Sequence, residues 1–173
     1  VEQSTSGSNL YAVIYKSNGF LAVGAGGVSR ASTDGESWNT SSYGTNSDLH
    51  SIAYDSNTQT LVVVGNSGTV ITNGTMQTSI VNADLYGVVY SEGMGLFVVV
   101  GNIGTVIDSY DGVEWDNKTT QIKNTLWKVI KAKGKYWGVG EANTGDGEVY
   151  TITYDTAVPV DAPTSYKSGE GNR

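Results

Sequence analysis

The chain has 173 residues, of which 38% are hydrophobic, and this length is sufficient to bury one core. Its net charge of −7 disfavours nonspecific binding to nucleic acids, and the lack of cysteine excludes disulfides and thiolate chemistry. The 4 Trp, 11 Tyr and many β-branched residues are not typical of a disordered chain, and no apolar run is long enough for a transmembrane helix.

A repeat extends along most of the chain. Segments with the pattern Leu-x-x-(Val/Ile)-x-(Tyr/Lys) begin at Leu10, Leu49, Leu85 and Leu126. Each is followed by a second apolar run, and these runs end at Gly24, Gly65, Gly101 and Gly140. Both sets of landmarks recur with a period of about 40 residues, the length of one structural repeat.

The elements within each repeat are short and rich in valine, and turn residues separate them, which favours three or four strands per repeat. The sequence therefore predicts an all-β fold, a β-propeller of about four blades in a single domain over residues 1–173. The repeats are expected at about 10–48, 49–84, 85–125 and 126–160. Residues 1–9 resemble the connector before the second repeat, so we expect them to complete the last blade. A β-solenoid is the main structural alternative.

Two turn motifs follow the second apolar run. The first is Gly-Asn-x-Gly, which begins at Gly65 and at Gly101 and is expected to supply positive φ angles for a tight hairpin. The second is Ser-x-Asp-Gly-x-x-Trp, at 32–38 and 109–115. We expect its aspartates to accept backbone hydrogen bonds in the turn and its tryptophans to fill a groove between strands. This structural role is assigned to Asp34, Trp38, Asp111 and Trp115.

The Ser-x-Asp-Gly-x-x-Trp motif resembles the Asp-box of BNR-like repeats in sialidase-like and sortilin-like propellers, with one residue fewer between Asp and Trp. The longer string in the third repeat, from LYGVVY to DGVEW, is similar to repeats of bacteriophage tail and fibre proteins and bacterial surface proteins. It also resembles the photosystem assembly-factor propellers. The resemblance covers about residues 10–155 and implies the propeller fold, whereas a fold alone does not specify a function.

The sequence lacks the residues that catalysis would require. A sialidase holds its substrate carboxylate with several arginines, whereas this chain has only Arg30 and Arg173. The single histidine, His50, excludes multi-histidine metal sites. The acidic residues that a glycosidase would need lie in turns or connectors, namely Glu36, Asp84, Glu114, Glu141 and Asp146. We therefore predict no enzyme activity, no metal site and no cofactor.

One set of residues is a candidate ligand-binding site. Tyr11, His50, Tyr86 and Trp127 recur once per repeat at the same strand position. They either form a ring of stacking surfaces near one mouth of the propeller, as in a glycan-binding lectin, or pack between blades. Exposure of the rings distinguishes the two interpretations.

Three functions follow from these observations. The leading hypothesis is a structural and recognition module of a virion, such as a phage tail or fibre, or of a cell surface, which contacts other proteins of an assembly or a host-surface glycan. The second is a lectin propeller, and the third is an intracellular assembly factor. Six of the eight lysines lie between Lys118 and Lys135, which is either a solvated rim or a contact for an acidic partner. We expect no nucleic-acid partner and no membrane insertion, and a homo-oligomer is an open alternative.

Overall fold

The computed structural model describes residues 7–119, 123–141, 148–152 and 164–166. These residues form four antiparallel sheets of four strands, and neighbouring strands in each sheet are consecutive in the chain. Each sheet is one blade, so the chain is a β-propeller of four blades, as the repeat predicts. In the described part, the helical segments are single 3-10 turns, and none is long and apolar enough to cross a membrane.

The strands of the four blades follow the chain order. Blade 1 contains β1 (Leu10–Lys16), β2 (Gly19–Gly24), β3 (Val28–Ser32) and β4 (Asn39–Ser42). Blade 2 contains β5 (Leu49–Asp55), β6 (Thr60–Gly65), β7 (Val70–Thr72) and β8 (Thr75–Met76). Blade 3 contains β9 (Leu85–Ser91), β10 (Leu96–Gly101), β11 (Val106–Ser109) and β12 (Asp116–Asn117). Blade 4 contains β13 (Leu126–Ala132), β14 (Lys135–Gly140), β15 (Glu148–Ile152) and β16 (Thr164–Tyr166).

The fourth blade extends further along the chain than its repeat. Its outermost strand, β16, pairs with β15 and lies beyond residue 160, where the repeat was expected to end. Residues 1–6 lie outside the described residues, so the closure of this blade by residues 1–9 stays a prediction.

The Gly-Asn-x-Gly motif forms a 3-10 turn, but its two glycines have different roles. Positive φ angles occur at Ser67 (55°) and Gly68 (70°), whereas Gly65 has an extended φ of −162°. Glycine is required at position 65 for another reason, because a Cβ there would lie 2.1 Å from the backbone oxygen of Asp48. The last glycine of each apolar run therefore permits two backbone segments to approach closely.

In the described part of the chain, the core consists of three apolar layers, each between two successive blades. We call the side of a blade that faces the following blade its forward face, and the opposite side its backward face. The layer between blades 1 and 2 contains Leu21, Val23, Leu49, Leu61, Val63 and Ile71. The layer between blades 2 and 3 contains Ala53, Val62, Val64, Val70, Leu85, Val88, Phe97, Val99, Ile107 and Trp115. The layer between blades 3 and 4 contains Leu96, Val98, Val100, Val106, Leu126, Val129, Tyr136, Tyr150 and Ile152.

Candidate functional site

The innermost strand of every blade contains a β-bulge at its second residue. In β5, Leu49 pairs with Gly65 and Ser51 pairs with Val64, so His50 is the extra residue between them. The same register shift occurs in β1, β9 and β13. A bulge redirects the side chain of the extra residue. The four bulge residues are those that the repeat singles out, namely Tyr11, His50, Tyr86 and Trp127.

The four redirected side chains form a continuous series of ring contacts, which we call the aromatic arc. Ring centroids are 5.5 Å apart between Tyr11 and His50, 5.1 Å between His50 and Tyr86, and 4.6 Å between Tyr86 and Trp127. Tyr11 and Trp127 at the two ends are each 42% exposed, and the two central rings are half-buried. The rings therefore contact one another and also present surface to the solvent.

Polar groups surround the arc and fix its central rings. The Nε2 atom of His50 lies 2.6 Å from Oδ1 of Asn66. The phenol of Tyr86 donates to Oδ2 of Asp84 at 3.5 Å. Desolvation, together with the nearby Asp84 carboxylate, raises the pKa of Tyr86 above its ordinary value, so this phenol stays protonated and remains a donor at neutral pH.

Two further hydrogen bonds connect the blades at the same end of the propeller. The backbone N–H of Gly26 in blade 1 donates to Oδ1 of Asp48 at 2.9 Å, and that of Ser67 in blade 2 donates to Oδ1 of Asp84 at 2.7 Å. In the sequence, Asp84 is one of the acidic residues in turns and connectors, and no motif singles out Asp48. The available signal was that each aspartate directly precedes the first leucine of its repeat.

The first Asp-Gly turn is held by its own side chains. Oδ1 of Asp34 accepts hydrogen bonds from the backbone N–H groups of Glu36 and Ser37, both at 2.8 Å, and from the hydroxyl of Ser32 at 2.9 Å. These bonds, the one from Ser37 first, lower the pKa of Asp34 to about 2. The indole N–H of Trp38 donates to the carbonyl of Gly35 at 3.2 Å.

The second Asp-Gly turn repeats this geometry in a more buried place. Oδ1 of Asp111 accepts from Val113 at 2.8 Å and from Glu114 at 2.9 Å, and the pKa of Asp111 is lowered chiefly by these bonds. Trp115 is buried in the layer between blades 2 and 3, and its indole N–H donates to Gly112 at 3.0 Å. Both turns therefore use their aspartate and tryptophan to stabilise the blade.

The lysine-rich sector is partly engaged within the protein. The Lys131 ammonium lies 4.0 Å from the ring centroid of Tyr136, and Lys118 pairs with Asp116 at 3.5 Å. Desolvation lowers the pKa of Lys131. Four other lysines of the sector are exposed, namely Lys123, Lys128, Lys133 and Lys135.

A second concave surface lies at the other end of β1, between blades 1 and 2. This groove has a volume of about 750 Å³ and is lined in part by Phe20, Tyr43, Tyr54, Gln59 and Asn73. The hydroxyls of Ser17 and Tyr54 lie 3.0 Å apart across it. The groove is separate from the aromatic arc and was not predicted from the sequence.

Comparisons with known proteins agree with the architecture. The chain is similar to the computationally designed Ika4 protein, with a TM-score of 0.62 and 15% identity over 88% of this chain and 96% of that one. It is also similar to an auxiliary nutrient binding protein from Bacteroides thetaiotaomicron, with a TM-score of 0.64 and 11% identity over 91% of this chain and 42% of that one. The likeness is one of fold. No protein-family model matches the sequence, and no curated protein is significantly similar to it.

Proposed function

We propose that this chain is a non-catalytic recognition module that binds a glycan at the aromatic arc. The observation that carries the proposal is that all four blades place an aromatic or imidazole ring at the same bulge, and that the rings at both ends of the series are 42% exposed. A pyranose ring presents a face of C–H groups that packs on an aromatic ring, while its hydroxyls require polar partners. Asn66, Asp84 and Glu141 supply such partners around the arc.

Charge favours a sugar over the other ligand that stacks on aromatic rings, a single-stranded nucleic acid. Binding of nucleic acid requires a cationic surface along the phosphates. The chain carries a net charge of −7, and the carboxylate of Asp84 lies against the arc. A neutral glycan avoids the resulting repulsion.

The setting that we propose is a virion or another exposed assembly, such as a cell surface. Its support is the resemblance of the third repeat to repeats of phage tail and bacterial surface proteins, together with the exposed position of the arc. A propeller presents such a surface on a rigid scaffold, which suits attachment to host glycans.

A glycan array of neutral and sialylated oligosaccharides, followed by calorimetric titration of the strongest ligand, tests the proposal. We expect Trp127→Ala and Tyr11→Ala each to weaken binding at least tenfold, about 1.4 kcal/mol. Tyr110→Ala is the matched control, because Tyr110 is 73% exposed in the Asp-Gly turn of blade 3, away from the arc.

Two results would contradict the proposal. A chain that binds no member of the array is not a glycan-binding module of this kind. Binding that survives Trp127→Ala and is lost in Tyr54→Ala would place the ligand in the groove between blades 1 and 2.

A further inference from the structure

The backward face of blade 1 is exposed where the same face of the other blades is buried. Leu10 is 42% exposed, whereas its counterparts Leu49, Leu85 and Leu126 are fully buried at 0%. Val13 in the same strand is 65% exposed. The Leu-x-x-Val pattern that is buried on this face in blades 3 and 4 is kept in blade 1, whereas Arg30 stands where blades 2 and 3 have Ile71 and Ile107. Among the described residues, no blade packs against this face.

The forward face of blade 4 is likewise more exposed than the forward faces of blades 1 to 3. Val139 is 45% exposed, whereas its counterparts Val23, Val64 and Val100 are all at 0%. Ile130 on the same face is 59% exposed. With Trp137 and Val149, these residues line an apolar groove of about 440 Å³. Among the described residues, no layer comparable to the three inter-blade layers joins β13 to β1.

The Asp-Gly turn of blade 1 is the counterpart of a turn that contacts the preceding blade in blade 3. In blade 3, the equivalent turn places Gly112 against Thr60 and Thr72 of blade 2, and Thr72 donates a hydrogen bond to its carbonyl. In blade 1, the turn contains Asp34, Gly35 and Glu36. The counterpart of Thr60 in blade 4 is Lys135, which is exposed. If a forward face like that of blade 4 packs on blade 1, the ammonium of Lys135 therefore lies beside the turn that contains Asp34 and Glu36.

We propose that a second copy of this chain covers both faces. The forward face of blade 4 in each copy packs on the backward face of blade 1 in the other, so that two copies form one ring of eight blades. Each new interface has the same blade-to-blade arrangement as the three internal layers, with Arg30 and Lys128 as charged residues on its two faces. The exposed apolar residues of the two faces then enter layers of the kind that bury their counterparts.

Closure determines the number of copies. A contact between two different faces generates either a closed ring or an open filament. Propellers typically contain four to eight blades, so two copies of four blades reach the upper end of this range and three copies exceed it. Further blades on a longer polypeptide are the other possible occupant of these faces, and they predict that the 173-residue chain alone is monomeric.

Light scattering coupled to gel filtration tests the proposal on this chain. We expect a mass twice the 18.2 kDa of one chain, with dissociation on dilution. We expect Val13→Asp and Ile130→Asp each to give monomers with an unchanged far-UV spectrum, because each substitution impairs both interfaces of the ring. Ile80→Asp is the matched control, since Ile80 is 44% exposed in the connector between blades 2 and 3 and belongs to no layer.

Mixing the two variants tests the head-to-tail geometry. A heterodimer of Val13→Asp with Ile130→Asp contains one interface without any substitution and one with both. We therefore expect the mixture to contain dimers, although each variant alone is monomeric. A symmetric contact between equal faces predicts no such complementation and would overturn the proposal.

A monomeric wild-type chain at high concentration would overturn the proposal, and so would a mass of three or more chains or a filament. Dimers of Val13→Asp or Ile130→Asp with unchanged affinity would have the same consequence. The mass measurement uses no glycan, so its result is independent of ligand binding at the aromatic arc.

Discussion

Trp115 offers the most direct test of how the blades are held together. Its indole is buried between blades 2 and 3, against side chains of both. Trp115→Ala removes a large aromatic ring from a packed layer, which typically costs about 3–5 kcal/mol. Asp111→Ala, in the same turn, removes hydrogen bonds whose donors belong to the exposed residues Val113 and Glu114. Because water can replace the carboxylate there, we expect a loss of only about 1 kcal/mol.

Urea unfolding followed by circular dichroism, at one protein concentration for all variants, measures these differences. For a chain of this size, the Trp115→Ala loss corresponds to a decrease in Tm of roughly 6–20 °C. Tyr110→Ala, on the exposed side of the turn, should change the free energy of unfolding by no more than about 0.5 kcal/mol. An unchanged m-value supports comparison by a two-state analysis. If Trp115→Ala costs no more than Asp111→Ala, the blades are not held together by this layer.

Two further predictions concern the turns. The folded-state pKa of Asp34 is about 2 against an ordinary value of 3.8, so its stabilising contribution is complete above about pH 4 and is lost as the pH falls toward 2. We therefore expect Tm to decrease less between about pH 4 and pH 2 in Asp34→Asn than in the wild type. An equal decrease in both proteins would contradict the stabilising role of the Asp34 carboxylate. Gly101→Ala should lower the free energy of unfolding by about 1–3 kcal/mol, because its Cβ would lie 2.2 Å from the backbone oxygen of Asp84. Gly93→Ala is the control, since a Cβ at position 93 meets no atom within 4 Å, and this variant should unfold at the wild-type temperature.

The equivalence of the four aromatic positions was visible in the sequence, but their redirection was not. Alternation along a strand does not predict that Tyr11 or His50 is an extra residue in the ladder. The bulge becomes visible only through the register of β1 on β2 and of β5 on β6. The contact between successive rings requires the innermost strands of neighbouring blades to lie side by side, which is a property of the tertiary arrangement.

The sequence by itself determined the repeat, the strand order within each blade and the internal design of the Asp-Gly turns. These features depend on residues close in the chain, such as Ser109, Asp111 and Trp115. The tertiary structure decided what each face of a blade contacts. Leu10 and Leu49 occupy the same position in the same pattern, yet one is 42% exposed and the other is at 0%. The difference exists because burial depends on whether another blade packs against the strand, and the residues of one strand do not specify that contact.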